Sequence, residues 1–206
     1  MTDYKKEGVI KGKLEIEGNL ILTGDLTVEK WINVTGYIDC ASYSIKAGDS
    51  IESGGYIKAG DSIESGGYIE ANYSIKAGGS IKAGGSIKAG RYIKTGDYIE
   101  AGGYIEANYS IESGDYIKAG RYIKTGRSIL ATLCVKAKGT ISAGIYIYAG
   151  LVTWRKRDAE DMVIECEKLL SGEVAFGTLK EIEKVIEEMT VEQICKALGK
   201  NVKIIK

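Results

Sequence analysis

An aliphatic residue stands at every sixth position from Ile45 to Ile147 without a break. No other feature of the chain constrains its fold as tightly. A weaker series with the same step runs through Leu14, Leu20, Leu26, Ile32 and Ile38. The step from Ile38 to Ile45 is one residue longer, which predicts a bulged corner near Ala41 and Ser42. Each hexad reads Tyr or Ser, Ile, Lys or Glu, a small residue, Gly, and a variable residue. Period-two alternation puts the Ile and the small residue on one side and the Tyr/Ser and Lys/Glu on the other, as a short strand requires. A helix cannot carry Gly at this density, since each costs ~1 kcal/mol against Ala. The Gly positions read as corners. Asn72 and Asn108 stand in for Gly there, and Asn is the residue that next best tolerates left-handed backbone, so these corners are expected to be left-handed.

Strand, corner, strand at fixed spacing is the grammar of a β-solenoid, with rungs stacked at about 4.8 Å. The segment GGYIEANYS begins at residues 66 and 102, a recurrence that 18-residue triangular coils and 12-residue two-sided coils both accommodate. The columns favour 18. At that step the outward residues run Lys46, Glu64, Lys82, Glu100, Lys118 and Lys136, with opposite charges alternating as far as Lys118, as cross-strand pairing prefers. A corner column reads Tyr73, Arg91, Tyr109, Arg127, an aromatic and guanidinium ladder suited to cation–π stacking. Asp61, Asp97 and Asp115 fill another corner column and read as turn residues.

Composition then removes whole classes of chemistry. The 206 residues include no His and no Pro. Without His there are no Ser-His or Cys-His nucleophile pairs, no His-ligated metal, and no imidazole base near neutral pH. The four cysteines show no C-x-x-C spacing and read as reduced packing residues, with Cys40 inward. Lys plus Arg number 28 against 28 Asp plus Glu, so no overall field selects nucleic acid or an anionic membrane. No apolar run approaches the ~18 residues of a membrane span, and the start MTDYKKEG lacks a signal-peptide apolar region. The chain is expected to be cytoplasmic and to make no membrane contact.

Residues 9–152 resemble the hexapeptide-repeat β-solenoids, whose members include left-handed acyltransferases and γ-type carbonic anhydrases. They also resemble the bactofilins, triangular β-helices that form filaments. The resemblance implies an all-β parallel β-solenoid, triangular, with 18 residues per coil. It implies no activity, because those enzymes work through His residues that this chain lacks. No catalytic residue, metal or cofactor is expected, and the chain reads as a non-enzyme.

About eight coils are expected over residues 1–152, followed by a small α+β capping or interaction subdomain over 153–206. In that tail 162–166, 173–176 and 202–205 read as short strands. Thr178 reads as a helix cap before the stripe Leu179, Ile182, Val185, Ile186 and Met189, and Thr190 with Gln193 as a second cap. Such a tail would cover unpaired strand edges at one end.

Candidate binding residues concentrate on one face and its edge. Lys58, Lys76 and Lys94 stack without alternation, flanked by Tyr56 and Tyr92, and the neighbouring corner holds Tyr73, Arg91, Tyr109 and Arg127. Arg155, Lys156 and Arg157 form a basic cluster beside Trp154 in the tail. Basic groups interleaved with aromatics suit following a phosphate backbone or stacking on bases. Three expectations follow. The first is a rigid inhibitor or adaptor that binds a protein or ribonucleoprotein complex, for instance one made by a phage or mobile element against a host defence complex. The second is a bactofilin-like self-assembling scaffold, with a homodimer through the N-terminal solenoid end. The third is a nucleic-acid binder acting alone.

Overall fold

The computed structural model describes residues 2–151 and 158–183. They form a parallel β-solenoid of about ten turns with 18 residues per turn. Three-residue strands such as Ile45–Ala47, Ile51–Ser53 and Ile57–Ala59 lie on three successive faces, and the next turn begins at Ile63–Ser65. We call these the first, second and third faces in that order. Register settles the coil length: Ile45 pairs with Ile63, Ile51 with Ile69 and Ile57 with Ile75. The two-sided 12-residue coil is thereby excluded.

Each strand buries its first and third residues and turns the middle one outward. The Ile column from Ile32 to Ile147 has no solvent exposure. A β-branched side chain suits this position because its stiff χ1 costs little entropy in extended backbone. Burying each Ile is worth roughly 1.5–3 kcal/mol, but only against the turns above and below, so no turn is stable alone. The third residue must be small, because it sits where two faces converge. Where it is Ser or Thr, its hydroxyl is satisfied: Thr95 donates to the Gly79 carbonyl at 2.6 Å and Ser113 to the Asp97 carbonyl at 2.6 Å. Among the described residues no buried side-chain polar atom lacks a partner.

The corners work differently from expectation. Ala41, at φ 47, is the one described non-Gly residue with positive φ, and it lies in the long step between Ile38 and Ile45, where the bulge was expected. Asn72 and Asn108 are not left-handed, nor are the repeat-corner glycines. Those glycines answer to close approach. A Cβ on Gly114 would collide with the Gly96 carbonyl oxygen directly below it.

Past residue 149 the solenoid continues where an α+β subdomain was expected. Val163–Cys166 pairs in parallel with Val135–Ala137, Lys168–Phe176 with Thr140–Ala149, and Thr178–Glu181 with Val163–Cys166. Thr178 therefore starts a strand, not a helix. These strands are why the turns number about ten instead of about eight. The step from Val135 to its partner Ile164 is 29 residues, which exceeds the 18-residue turn by 11. One insertion thus interrupts the coil between Ala149 and Val163, where the repeat reading expected none. The strand at 202–205 and the helical stripe beyond Glu183 lie outside the described residues.

Two substitutions test this packing by urea melts. Ile87→Ala should cost about 2–5 kcal/mol by leaving a cavity between neighbouring rungs. Gly114→Ala should cost about 1–3 kcal/mol by forcing two rungs apart. Wild-type midpoints for both would contradict the stacked-rung core.

Candidate functional site

The third face gathers most of the residues singled out in the sequence. Lys76 pairs in register with Lys58 below and Lys94 above. The turn that precedes this face carries the Tyr73, Arg91, Tyr109, Arg127 column, one residue per rung. Its backbone is a continuous ladder: Arg91 N–H donates to the Tyr73 carbonyl at 2.8 Å, Tyr109 N–H to the Arg91 carbonyl at 2.8 Å, and Arg127 N–H to the Tyr109 carbonyl at 3.0 Å. Because the chain runs Arg91, Tyr92, Ile93, Lys94, corner and face form one continuous surface.

The ladder holds its side chains in the expected contact. The Arg91 guanidinium lies 5.8 Å and that of Arg127 5.1 Å from the Tyr109 ring centre, so Tyr109 is clasped between two cations. Each such contact is worth about 0.5–1 kcal/mol at an exposed site. Tyr73, Tyr92 and Tyr109 remain 55%, 40% and 42% exposed. Tyr56 is half-buried and stacks on Tyr37 with ring centres 4.7 Å apart. Burial, then the Asp39 carboxylate and the Tyr37 hydroxyl, raise the Tyr56 pKa above its ordinary value.

The lysine column is less basic than its sequence suggests. Asp39 continues it below and Glu112 above. Lys58 lies 3.9 Å from Asp39, and Lys94 forms a 2.7 Å ion pair with Glu112. Hydrogen bonding to Glu112 raises the Lys94 pKa. Lys76, in the middle, makes no ion pair among the described residues. The uncompensated cations of this surface are thus Lys76, Arg91 and Arg127. Above Glu112 the outward column turns apolar, with Leu130 and then Tyr148. Arg155, Lys156 and Arg157 lie outside the described residues.

The remaining faces are laterally paired, except that Lys82 and Lys136 on the first make no ion pair among the described residues. On the first face Lys46 meets Glu64 at 3.1 Å and Lys118 meets Glu100 at 3.7 Å. On the second, Lys88 meets Glu70 at 2.9 Å and Lys124 meets Glu106 at 3.5 Å. Exposed pairs of this kind are worth at most about 1 kcal/mol each, and they neutralise those faces. Among the described residues no three His, Cys, Asp or Glu side chains converge as a metal site. Burial, with the Asp39 charge, pushes the Cys40 thiol up to about 12, and burial also raises Cys134 and Cys166, which leaves these thiols poor nucleophiles. Sequence reasoning passed over a cleft on the second face beside Tyr68 and Tyr104. The signal that could have found it is a Ser at position 86 between Tyr68 and Tyr104 at the 18-residue step.

No family model, no curated protein and no solved structure matches this chain. Among the described residues no helix is long and apolar enough to cross a membrane.

The shifted thiols and phenols set a pH dependence. Cys40 holds its proton in the folded chain from the ordinary 9.0 up to about 12, whereas the unfolded chain releases it at the lower value. The folded state therefore binds more protons across that window, and stability is full below it and falls as pH rises through it. The raised Tyr56, Tyr116 and Tyr122 act in the same direction. The Tm followed by circular dichroism should hold up to about pH 9 and decline above it, and Cys40→Ala should flatten the decline. A wild-type Tm unchanged at about pH 11 would rule out this coupling.

Proposed function

We propose that this chain is a non-enzymatic interaction protein, a rigid rod that binds a protein or ribonucleoprotein partner as an inhibitor or adaptor. The observation that carries this reading is the clasped Tyr109 between Arg91 and Arg127, beside the unpaired Lys76 and the exposed Tyr73 and Tyr92. Tyr and Arg are the side chains that most often dominate binding energy at interfaces. Here the backbone ladder and the cation–π contacts hold them in place before any partner arrives, which lowers the ordering cost of association. Three uncompensated cations suit an acidic protein surface or a short stretch of phosphate backbone. The carboxylates of Asp39 and Glu112 close both ends of the lysine column, which leaves a short track for free nucleic acid and favours a protein-containing partner.

The combined substitution of Lys76, Arg91, Lys94 and Arg127 by Glu tests this surface. The variant should keep the β-sheet circular dichroism and lose the stoichiometric partner that the wild-type chain retains from lysate. Retention of the same partner by the variant would sink the assignment. Loss of the wild-type partner on nuclease treatment would place nucleic acid within the contact.

A second reading, self-association, has its own observation. The strand Asp3–Ile10 pairs with Asn19–Val28 on one edge, has no strand on its other edge among the described residues, and is exposed along nearly its whole length. An open edge of this kind is a template for pairing with a second copy. Two copies meeting through this end give a head-to-head dimer, as a two-fold contact closes on itself. Light scattering should then give twice the 22.2 kDa chain mass at high concentration, and removal of residues 2–10 should return the monomer. A monomer at all concentrations would leave the heterotypic reading alone.

A further inference from the structure

The second face holds an opening that the third-face surface does not use. Tyr68, Ser86, Tyr104 and Tyr122 occupy one column on successive rungs, since the amides of Ile69, Ile87 and Ile105 donate in turn to the carbonyls of Ser86, Tyr104 and Tyr122. Tyr104 and Tyr122 stack with ring centres 4.8 Å apart and planes within 2°. The same spacing, 4.7 and 5.0 Å, recurs in the Tyr37–Tyr56 and Tyr98–Tyr116 stacks. It matches the rung spacing of about 4.8 Å, so each rung has room for one ring. Ser86 leaves its rung without one. A cleft of roughly 410 Å³ opens there, walled by Tyr68 and Tyr104 and floored by Gly85, Ser86, Glu70 and Lys88.

The walls are fixed, and so is the chemistry at the back of the slot. Tyr68 donates its hydroxyl to the Glu52 carboxylate, and Tyr122 donates to Glu106 at 3.4 Å. In both cases the acceptor lies 16 residues before the tyrosine, on the outward position of the rung below. The residue in that relation to position 86 is Glu70. Glu70 holds Lys88 at 2.9 Å, which leaves its second carboxylate oxygen to accept from an incoming donor. The other serine between two tyrosines of a column, Ser74 between Tyr56 and Tyr92, is buried and offers no such opening.

We infer that the slot over Ser86 takes a single aromatic ring with a hydrogen-bond donor at its edge, and that the occupant is a tyrosine side chain of a partner polypeptide. The ring would continue the ladder at about 4.8 Å from Tyr68 and from Tyr104, with its hydroxyl donating to Glu70. The one cation that lines the slot, Lys88, is already paired with Glu70, and the Glu52 carboxylate stands next to Tyr68, so a phosphate finds no free cation there, which selects a polypeptide ring over a nucleotide base. The assignment rests on the second face alone and stands or falls independently of the lysine and arginine surface.

Titration of the full chain with N-acetyl-tyrosinamide, followed through the aromatic carbon signals of the protein, tests it. The Tyr68 and Tyr104 rings should shift saturably, the Tyr92 ring should not move, and N-acetyl-leucinamide should have no effect. Ser86→Tyr fills the gap and should weaken binding on the order of tenfold, the worth of a well-stacked ring. If that variant loses its sheet signal, Tyr68→Ser removes one wall and should give the same loss. Shifts spread over all exposed tyrosines without saturation, or wild-type affinity in a folded variant, would overturn the proposal. Saturation by adenosine monophosphate but not by the tyrosine amide would also overturn it, in favour of a nucleotide site.

Discussion

The parallel ladder of backbone hydrogen bonds at a constant step of 18 residues is the constraint from which the rest of this molecule follows. It places an aliphatic residue on an aliphatic residue along each inward column, Ile on Ile through most of the repeat, and leaves no freedom for a side chain to choose its neighbours. A residue's surroundings are decided by what stands one rung above and one rung below. The ladder also brings backbone so close at the corners that a Cβ meets a carbonyl oxygen, which explains the glycines without any appeal to unusual dihedral angles.

Column stacking at about 4.8 Å turns surface chemistry into a one-dimensional problem. Like charges in a column repel, so carboxylates and ammonium groups alternate on the first face from Lys46 to Lys118 and pair along the second from Glu70 to Lys124. Aromatic rings in a column stack, because the rung spacing is close to the separation of offset rings. Cations alternate with rings where Arg91, Tyr109 and Arg127 follow one another. A surface of this kind is organised before it meets a partner, and its departures from regularity stand out: an uncompensated Lys76, an apolar turn at Leu130, a missing ring at Ser86. The interaction role proposed for this chain draws on those departures, since most charges and rings of the regular columns satisfy one another.

Stability has the same one-dimensional character. Each turn contributes through its contacts with two neighbours, so the interior turns are held twice and the terminal ones once. The strand Asp3–Ile10, exposed and paired on one edge, belongs to a terminal turn of this kind. Burial shifts the Cys40 thiol furthest, whereas the exposed Lys88 and Lys94 owe their shifts first to hydrogen bonds with Glu70 and Glu112.

Much of this was legible in the residues, and the reasons are physical. A six-residue step of Ile with Gly at the corners admits a solenoid and excludes a helix, and the 18-residue columns of charge point to three faces. The surface formed by Lys58, Lys76 and Lys94 and by the Tyr73 to Arg127 corner could be placed by the same arithmetic. Three things could not. Asp39 and Glu112 close the lysine column, but Asp39 precedes the long step at Ala41, where counting by 18 fails. Residues 163–181 lack the Ile and Gly rhythm, so their local pattern suggested a separate subdomain; only the open strand edges of the turns beneath them, waiting for a partner, decide that they add further rungs. The slot over Ser86 depends on which serines their neighbours cover, and Ser74 and Ser86 read alike in one dimension. The sequence by itself determined the period, the inward and outward sides and the column each residue occupies, because these follow from strand alternation and a fixed step. The tertiary structure decided what the irregular segments join, which charges find partners and which gaps stay open, because those depend on contacts between rungs that no local pattern encodes.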